Sequence, residues 1–246
     1  MLKDSLISFA GGSATPIINK SVFSSIKLLT PPLPIQRKIA AILSAYDELI
    51  ENNNRRIAIL EKMAEDIYRE WFVRLRFPGH ENTKIVKGVP EGWEVKRLSD
   101  ILELNYGKAL KEEDRTGDGF PVFGSSGIVG YHKNALVKGP GIIVGRKGNV
   151  GSVHWVESDF FPIDTAYYVK TNISLFFVFY LLQTMNFINN DSAVPGLNRS
   201  QAYSNLVYFP TDELIKNFTS LISHLFMQIN HLKSSNTNLK TTRDLL

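Results

Sequence analysis

Ser13-Ala14-Thr15-Pro16-Ile17-Ile18-Asn19-Lys20-Ser21 and Ser192-Ala193-Val194-Pro195-Gly196-Leu197-Asn198-Arg199-Ser200 are two copies of one pattern in a single chain. Pro195 follows Pro16 by 179 positions, and the same offset carries Pro31 onto Pro210, Ile35 onto Leu214, Ile39 onto Phe218, Ile42 onto Leu221 and Ile50 onto Ile229. Register kept without a gap over such a length marks an internal repeat, which governs architecture ahead of local propensity. The repeat reads as a globular unit ending in a loop with Asn-[Lys/Arg]-Ser, then proline, then a long helix. The chain of 246 residues therefore holds the tail of one repeat, residues 1–30, and one whole repeat after it. The tail has no obvious partner within the chain and is expected to be poorly ordered or docked on another copy.

After Pro31-Pro32-Leu33-Pro34, seam positions recur at Ile35, Ile39, Ile42, Tyr46, Leu49, Asn53, Ile57, Leu60, Ala64, Ile67 and Trp71. The steps alternate four and three with one slip, which is coiled-coil spacing, and Asn53 is a polar residue of the kind that sets register. Neither Gly nor Pro interrupts the run before Pro78-Gly79, so residues 31–76 are expected to form a helix of roughly forty residues, about 60 Å long. A second helix, 211–246, is expected from Thr211-Asp212, good N-terminal residues. Its seam is Leu214, Phe218, Leu221, Leu225, Ile229, Leu232, Asn236 and Leu239, and no stop signal follows. Two amphipathic helices flanking one globular segment invite antiparallel pairing.

Between them, residues 77–210 change character. Gly and Pro become frequent, strand-like runs appear at Gly141–Val144, Ser152–Val156 and Thr165–Val169, and turn residues separate them. A helix is expected near Ser174–Phe187. The fold class expected is α+β: a globular, mostly antiparallel-sheet domain flanked by two long helices in an antiparallel coiled coil. With 43% hydrophobic residues the chain can bury a core, and without cysteine it has no disulfide framework or thiolate metal site. The start, Met1–Gly12, is not a secretory signal. The most apolar run, Leu175–Leu182, is too short to span a bilayer, so no membrane is expected and a cytoplasmic location is. The net charge is +4, but from Gly119 to Trp155 Lys133, Lys138, Arg146 and Lys147 occur without an Asp or Glu. That basic, Gly-rich stretch suits either phosphates or solvated loops.

Catalytic patterns are missing. Thr30-Pro31-Pro32-Leu33 lacks the polar anchor and aromatic of an amino-methyltransferase, Glu94-Val95-Lys96 lacks the acidic partner of a nuclease, and Gly107-Lys108 lacks the rest of a phosphate loop. The five histidines show no ligand spacing. No cofactor and no metal are expected.

The segment Pro31-Pro32-Leu33-Pro34-Ile35-Gln36-Arg37-Lys38-Ile39-Ala40, with Ile42-Leu43 and Asp47, resembles the start of the conserved helix in specificity subunits of Type I restriction–modification enzymes, with Ile35 where that pattern prefers Glu. Tyr68–Phe72 through Arg76-Phe77-Pro78-Gly79 is similar to the end of that helix, and Pro90-Glu91-Gly92-Trp93 with Leu98 to the opening of a target recognition domain. Pro121–Gly124, Gly127–Tyr131, Val144–Gly151 and Asp164–Tyr168 continue the likeness. The resemblance implies two target recognition domains per full-length member, each reading half of a split DNA target, with antiparallel helices that bind methyltransferase subunits, restriction subunits joining the complex. This chain resembles a C-terminal half, or a half-length subunit that restores two domains as a homodimer. The implied role is non-catalytic reading of double-stranded DNA. The alternative is a coiled-coil scaffold or decoy half-subunit that binds the methyltransferase and reads no DNA.

Base reading needs cations at phosphates and donors and acceptors at base edges. The phosphate candidates are Lys108, Lys133, Arg146 and Lys147; the base-edge candidates are Ser125, Ser126, Tyr131, His132, Asn149, Asn198 and Arg199. Asn198-Arg199-Ser200 recurs as Asn19-Lys20-Ser21, so it also reads as a turn common to the repeats. Arg69, Trp71 and Phe72 either belong to a partner surface or seat the helix on the globular domain.

Overall fold

A computed structural model describes residues 17–26, 30–115, 117–187 and 196–245. The helices in this part of the chain are α1 (Lys20–Ser25), α2 (Leu33–Tyr68), α3 (Leu175–Thr184), α4 (Arg199–Ser204) and α5 (Asp212–Asp244). Pro34 falls in the first turn of α2, where a missing N–H costs nothing, and Ile35 and Gln36 donate their amides to the Pro32 carbonyl at 2.9 and 3.1 Å. Thr211 starts α5, its carbonyl accepting from the Ile215 amide at 3.1 Å, with Asp212 and Glu213 at the positive end of the helix dipole. After Tyr68, α2 widens into a π-helical turn, Arg69–Val73, in which Arg74 donates to the Arg69 carbonyl at 2.8 Å. That wider turn carries the buried Phe72.

The chain divides into two compact units, residues up to 52 with 236–246, and residues 53–235. The division cuts through both long helices. The end of α2 and the start of α5 belong to the core of the sheet domain: Ala64, Tyr68, Phe72, Leu214, Phe218, Ile222 and Phe226 are buried in one cluster with Phe177 and Phe209. In this unit α2 and α5 run antiparallel, since Tyr68 meets Phe218 and, further along, Glu61 pairs with Lys233 at 3.3 Å. In the other unit Arg243 pairs with Asp47 at 2.7 Å.

The seam keeps most of the positions read from the sequence, Tyr46 and Asn53 to Ile67 on α2 and Leu214, Phe218 and Leu225 to Asn236 on α5, and departs from it at a few. On α2 the covered positions are Leu43, Tyr46, Ile50, Asn53, Ile57, Leu60, Ala64 and Ile67, while Ile35, Ile39, Ile42 and Leu49 are exposed. On α5 they are Ile215, Phe218, Ile222, Leu225, Ile229, Leu232 and Asn236, with Leu221 exposed. Both helices thus carry strict three–four alternation without the slip. Leu49 and Ile50, like Leu221 and Ile222, are adjacent apolar pairs, and only packing selects which one turns inward.

Among the described residues eleven short strands follow in order: β1 (Ile85–Val86), β2 (Val89–Pro90), β3 (Glu94–Arg97), β4 (Glu103–Tyr106), β5 (Phe120–Gly124), β6 (Gly127–His132), β7 (Gly141–Gly145), β8 (Val153–Val156), β9 (Phe161–Pro162), β10 (Ala166–Lys170) and β11 (Leu206–Phe209). The central sheet runs β4-β10-β7-β8 and is antiparallel throughout; the second runs β6-β5-β9, with the β5–β9 pair parallel. β3 pairs with β11, Leu206 opposite Arg97, so the domain is closed by its own two ends. The apolar α3, capped by Ser174, is buried from Phe177 to Leu182. No helix among the described residues is long and apolar enough to cross a membrane.

Ser13–Pro16 and Ser192–Pro195 lie outside the described residues, as do the other parts of the 1–30 tail before Ile17 and at 27–29. The remainder of the repeat agrees in both copies. Asn19 Oδ1 accepts from the Val22 amide at 3.0 Å to start α1, and Asn198 Oδ1 accepts from the Ser200 and Gln201 amides at 2.9 and 3.2 Å to start α4. The second copy is packed into the core through Leu197 and Ala202, whereas Ile17 and Phe23 of the first are exposed.

Truncation of Phe218 to Ala removes a ring that touches Tyr68, Trp71, Phe72 and Tyr180, and urea melts are expected to show a loss of about 3–5 kcal/mol. Burial pushes the phenols of Tyr68 and Tyr180 well above their ordinary range, and burial followed by the neighbouring Tyr106 pushes Tyr167 up to about 12. Because the unfolded chain ionises first, stability is complete below about pH 10 and is lost as pH rises through the folded values. Urea midpoints are expected to be flat from pH 8 to 9 and to fall above 10, with a shallower fall in Tyr68→Phe.

Candidate nucleic-acid interface

Antiparallel register brings the ends of β4, β7 and the start of β10 together, Tyr167 facing Tyr106 on one side and Val144 on the other. Arg146 follows β7 directly. Its amide donates to the Thr165 carbonyl at 2.9 Å and its carbonyl accepts from the Leu197 amide at 2.7 Å. Its Nε and Nη2 both donate to the Asp164 carbonyl, at 2.9 and 2.7 Å, and its guanidinium lies 5.3 Å from the Tyr106 ring and 6.0 Å from the Tyr167 ring. Arg199, at the start of α4, stands 5.1 Å from the same Tyr106 ring and donates to the Leu104 carbonyl at 3.5 Å. Tyr106, 50% exposed, is therefore shared by two guanidinium groups. Neither forms an ion pair among the described residues, and two such cations on one exposed ring make a site for an anion or for base edges. The buried Tyr167 keeps its proton at neutral pH and donates it to the Leu197 carbonyl at 3.1 Å, tying residues 196–199 to the sheet.

Beside this cluster Lys147 donates its amide to Thr165 and bridges to Gly196, with its side chain exposed. The turn that follows needs glycine at Gly148, where φ is +77°, and a Cβ on Gly145 would collide with the Asn149 carbonyl. Asn149 is exposed; its amide reaches Ser125 Oγ at 3.4 Å. Ser125 is buried, and its carbonyl accepts from Ser152 Oγ and faces His154 Nε2 at 3.1 Å. It ties the β5–β6 turn to the 147–152 loop and is not open to a base edge, a correction to the sequence reading. Ser126, next to it, is exposed.

Tyr131 and His132 sit at the opposite end of β6, four and five residues from its start and hence roughly 15 Å away, and Lys133 follows the strand directly. His132 Nδ1 lies 2.9 Å from the Asn134 carbonyl and its ring meets that of Phe161 at 5.3 Å. Lys108, two residues after Tyr106, donates its amide to the Pro162 carbonyl at 3.0 Å and is exposed. The candidates thus form two groups, not one. Asn198 is the cap of α4, so its carbonyl oxygen is committed to the turn that the repeat suggested. For Phe72 the structure selects the second of its two readings over the partner surface: with 7% of its surface exposed it packs on Tyr68, Trp93, Phe177 and Phe218 and seats the helix. Trp71 is half-buried against Phe218, and Arg69 is exposed and bonded to Glu65 at 2.7 Å.

Tyr106, Tyr167, Asp164 and Thr165 were not singled out from the sequence. Asp164 and Thr165 contribute carbonyl oxygens, which no side-chain pattern reveals. An exposed aromatic directly before Gly107-Lys108 was the available signal for Tyr106.

A family model described as the Type I restriction modification DNA specificity domain matches residues 1–62 and 90–213. The chain is 25% identical over 277 aligned positions to the Type I restriction enzyme MjaIX specificity subunit of Methanocaldococcus jannaschii, covering all of this chain and 64% of that protein. It is 35% identical over 112 positions to the MjaVIII specificity subunit of the same organism, covering 45% of this chain and 26% of that one. The chain thus spans less than two thirds of these relatives. The crystal structure of a Type I restriction–modification system S subunit from M. genitalium superposes over 99% of this chain and 68% of its own, with a TM-score of 0.68 at 21% identity, a likeness of fold. With its repeat, its closed sheet domain between paired helices and a family match over most of its length, the chain belongs to the Type I restriction modification DNA specificity domain family.

Proposed function

We propose that the chain is a sequence-reading DNA-binding subunit, non-catalytic in itself, that directs methyltransferase and restriction subunits to one half of a split target in the cytoplasm. The observation that carries this reading is the cluster of Arg146, Lys147 and Arg199 at one end of the central sheet, cations that form no ion pair with Asp or Glu among the described residues. A scaffold or decoy that reads no DNA leaves this cluster without a role. Family membership supports the same reading, and the names of the relatives are those of specificity subunits.

In this reading Lys108, Lys133 and Lys147, with exposed side chains, neutralise phosphates and set the register of the domain on the duplex. Ser126, Tyr131, His132, Asn149 and Arg199 remain the base-edge set, with the amide nitrogen of Asn198. The two ends of β6 are roughly 17 Å apart, a span that covers about five base pairs at 3.4 Å each. Arg69 and Trp71 are the partner residues kept from the sequence reading. A homodimer or a longer polypeptide supplies the second half-site reader.

The test is selection from a pool of random-core duplexes by the full chain, alone and with its methyltransferase subunit. One enriched half-site is expected. Affinity is expected to fall steeply between 50 and 200 mM salt, and Lys147→Ala to lower the slope of log affinity against log salt by about 1 for all sequences alike. A pool left unenriched in both settings refutes the proposal.

A further inference from the structure

Arg146 is held differently from the other cations of the interface. Its backbone N–H and C=O are both bonded, to Thr165 and Leu197, which fixes the Cα between β10 and the 196–199 segment. Its guanidinium carbon lies 5.3 Å from the centre of the Tyr106 ring and 6.0 Å from that of Tyr167. Nε–H and one Nη2–H converge on the single carbonyl oxygen of Asp164, so the inner edge of the guanidinium is filled. Of the five N–H groups of an arginine, the three left are the second Nη2–H and the two on Nη1. These form the outer end of the fork, two parallel donors in a plane already set before any ligand arrives.

The geometry points to Arg146 as a specificity-determining residue that reads a guanine, its free Nη1–Nη2 edge donating to O6 and N7 in the major groove, and not as the phosphate contact that its charge alone suggests. This rests on the DNA-reading function proposed above. Guanine offers two acceptors side by side, and the arginine fork is the side chain that meets both at once. Recognition of that kind demands a fork whose rotamer is locked by its surroundings, because a misplaced donor loses discrimination. A phosphate contact makes no such demand, and Lys147 next door shows the contrast: its backbone is anchored to Thr165 and Gly196 while its ammonium group is exposed and unrestrained. Among the described residues Arg146 forms no ion pair, and Asp164 meets it through a carbonyl oxygen, so the fork keeps its charge for an incoming acceptor pair. Tyr106 acts as a positioning residue, since its exposed ring stands 5.3 Å from the Arg146 guanidinium and 5.1 Å from that of Arg199.

The duplex selection is repeated with Arg146→Ala, Arg146→Lys and Tyr106→Ala in the full chain, together with its methyltransferase subunit. Discrimination at a single G·C position of the half-site is expected to fall roughly tenfold or more in Arg146→Ala, with the remaining positions and the salt slope unchanged. Arg146→Lys is expected not to restore it, because an ammonium lacks the paired donors, and Tyr106→Ala is expected to relax the same position with Arg146 intact. Where Arg146→Ala lowers the melting temperature, the other two variants carry the test. Uniform weakening with a slope lowered by about 1, as expected for Lys147→Ala, overturns the assignment while leaving DNA reading in place. A half-site unchanged in all three variants overturns it as well. If the unaltered chain enriches no sequence, DNA reading itself fails and the assignment falls with it.

Discussion

Four rings, Tyr68, Phe72, Phe177 and Phe218, come from the end of α2, the buried α3 and the start of α5, and meet at centroid distances of 5.1 to 5.8 Å. Aromatic side chains bury large areas and prefer tilted or edge contacts, so a cluster of four fixes angle as well as distance. This joint makes the last turns of one long helix, the first turns of the other and the face of the sheet domain into one core. The π-helical turn Arg69–Val73 belongs to the same constraint, since it carries Phe72 inward at the point where an undisturbed helix runs on.

Closure of the domain by β3 and β11 has a matching effect at the level of topology. The chain enters the sheet domain just after α2 and leaves it just before α5, and the two strands that bracket it are hydrogen-bonded neighbours. A domain whose ends are adjacent can sit between two antiparallel helices without disturbing their pairing. The interface then forms where β4 and β7 stop and β10 begins, and the 196–199 segment is laced to them through Leu197, Tyr167 and Arg146. Recognition groups on loops held by a rigid sheet are the usual arrangement for binding surfaces.

Much of this was legible in the sequence because it depends on patterns that survive in one dimension. The proline-led helix starts, the asparagine caps at Asn19 and Asn198, the apolar run of α3 and three of the central strands follow from local rules of capping, periodicity and turn chemistry. The heptad seam was legible at most of its positions but not at Leu49-Ile50 and Leu221-Ile222, which each offer two apolar residues a hundred degrees apart, and the partner helix decides between them. Ser125 read as an exposed polar residue between glycines and proved to be a buried tie between two loops, a role set by residues 149, 152 and 154 on the other side of a turn.

By itself the sequence determined the repeat, the order of helix, sheet domain and helix, and the basic character of the central loops, since these rest on spacing and composition. Only the tertiary structure decided which cations stand free and which are fixed. Arg146 and Lys147 are adjacent and equally charged, yet one is clamped at backbone and guanidinium while the other has an exposed side chain. The reason is physical: the clamp is made of carbonyl oxygens at Asp164 and Thr165 and of rings at Tyr106 and Tyr167, groups that approach Arg146 through strand register and are separated from it along the chain by 18 residues and more.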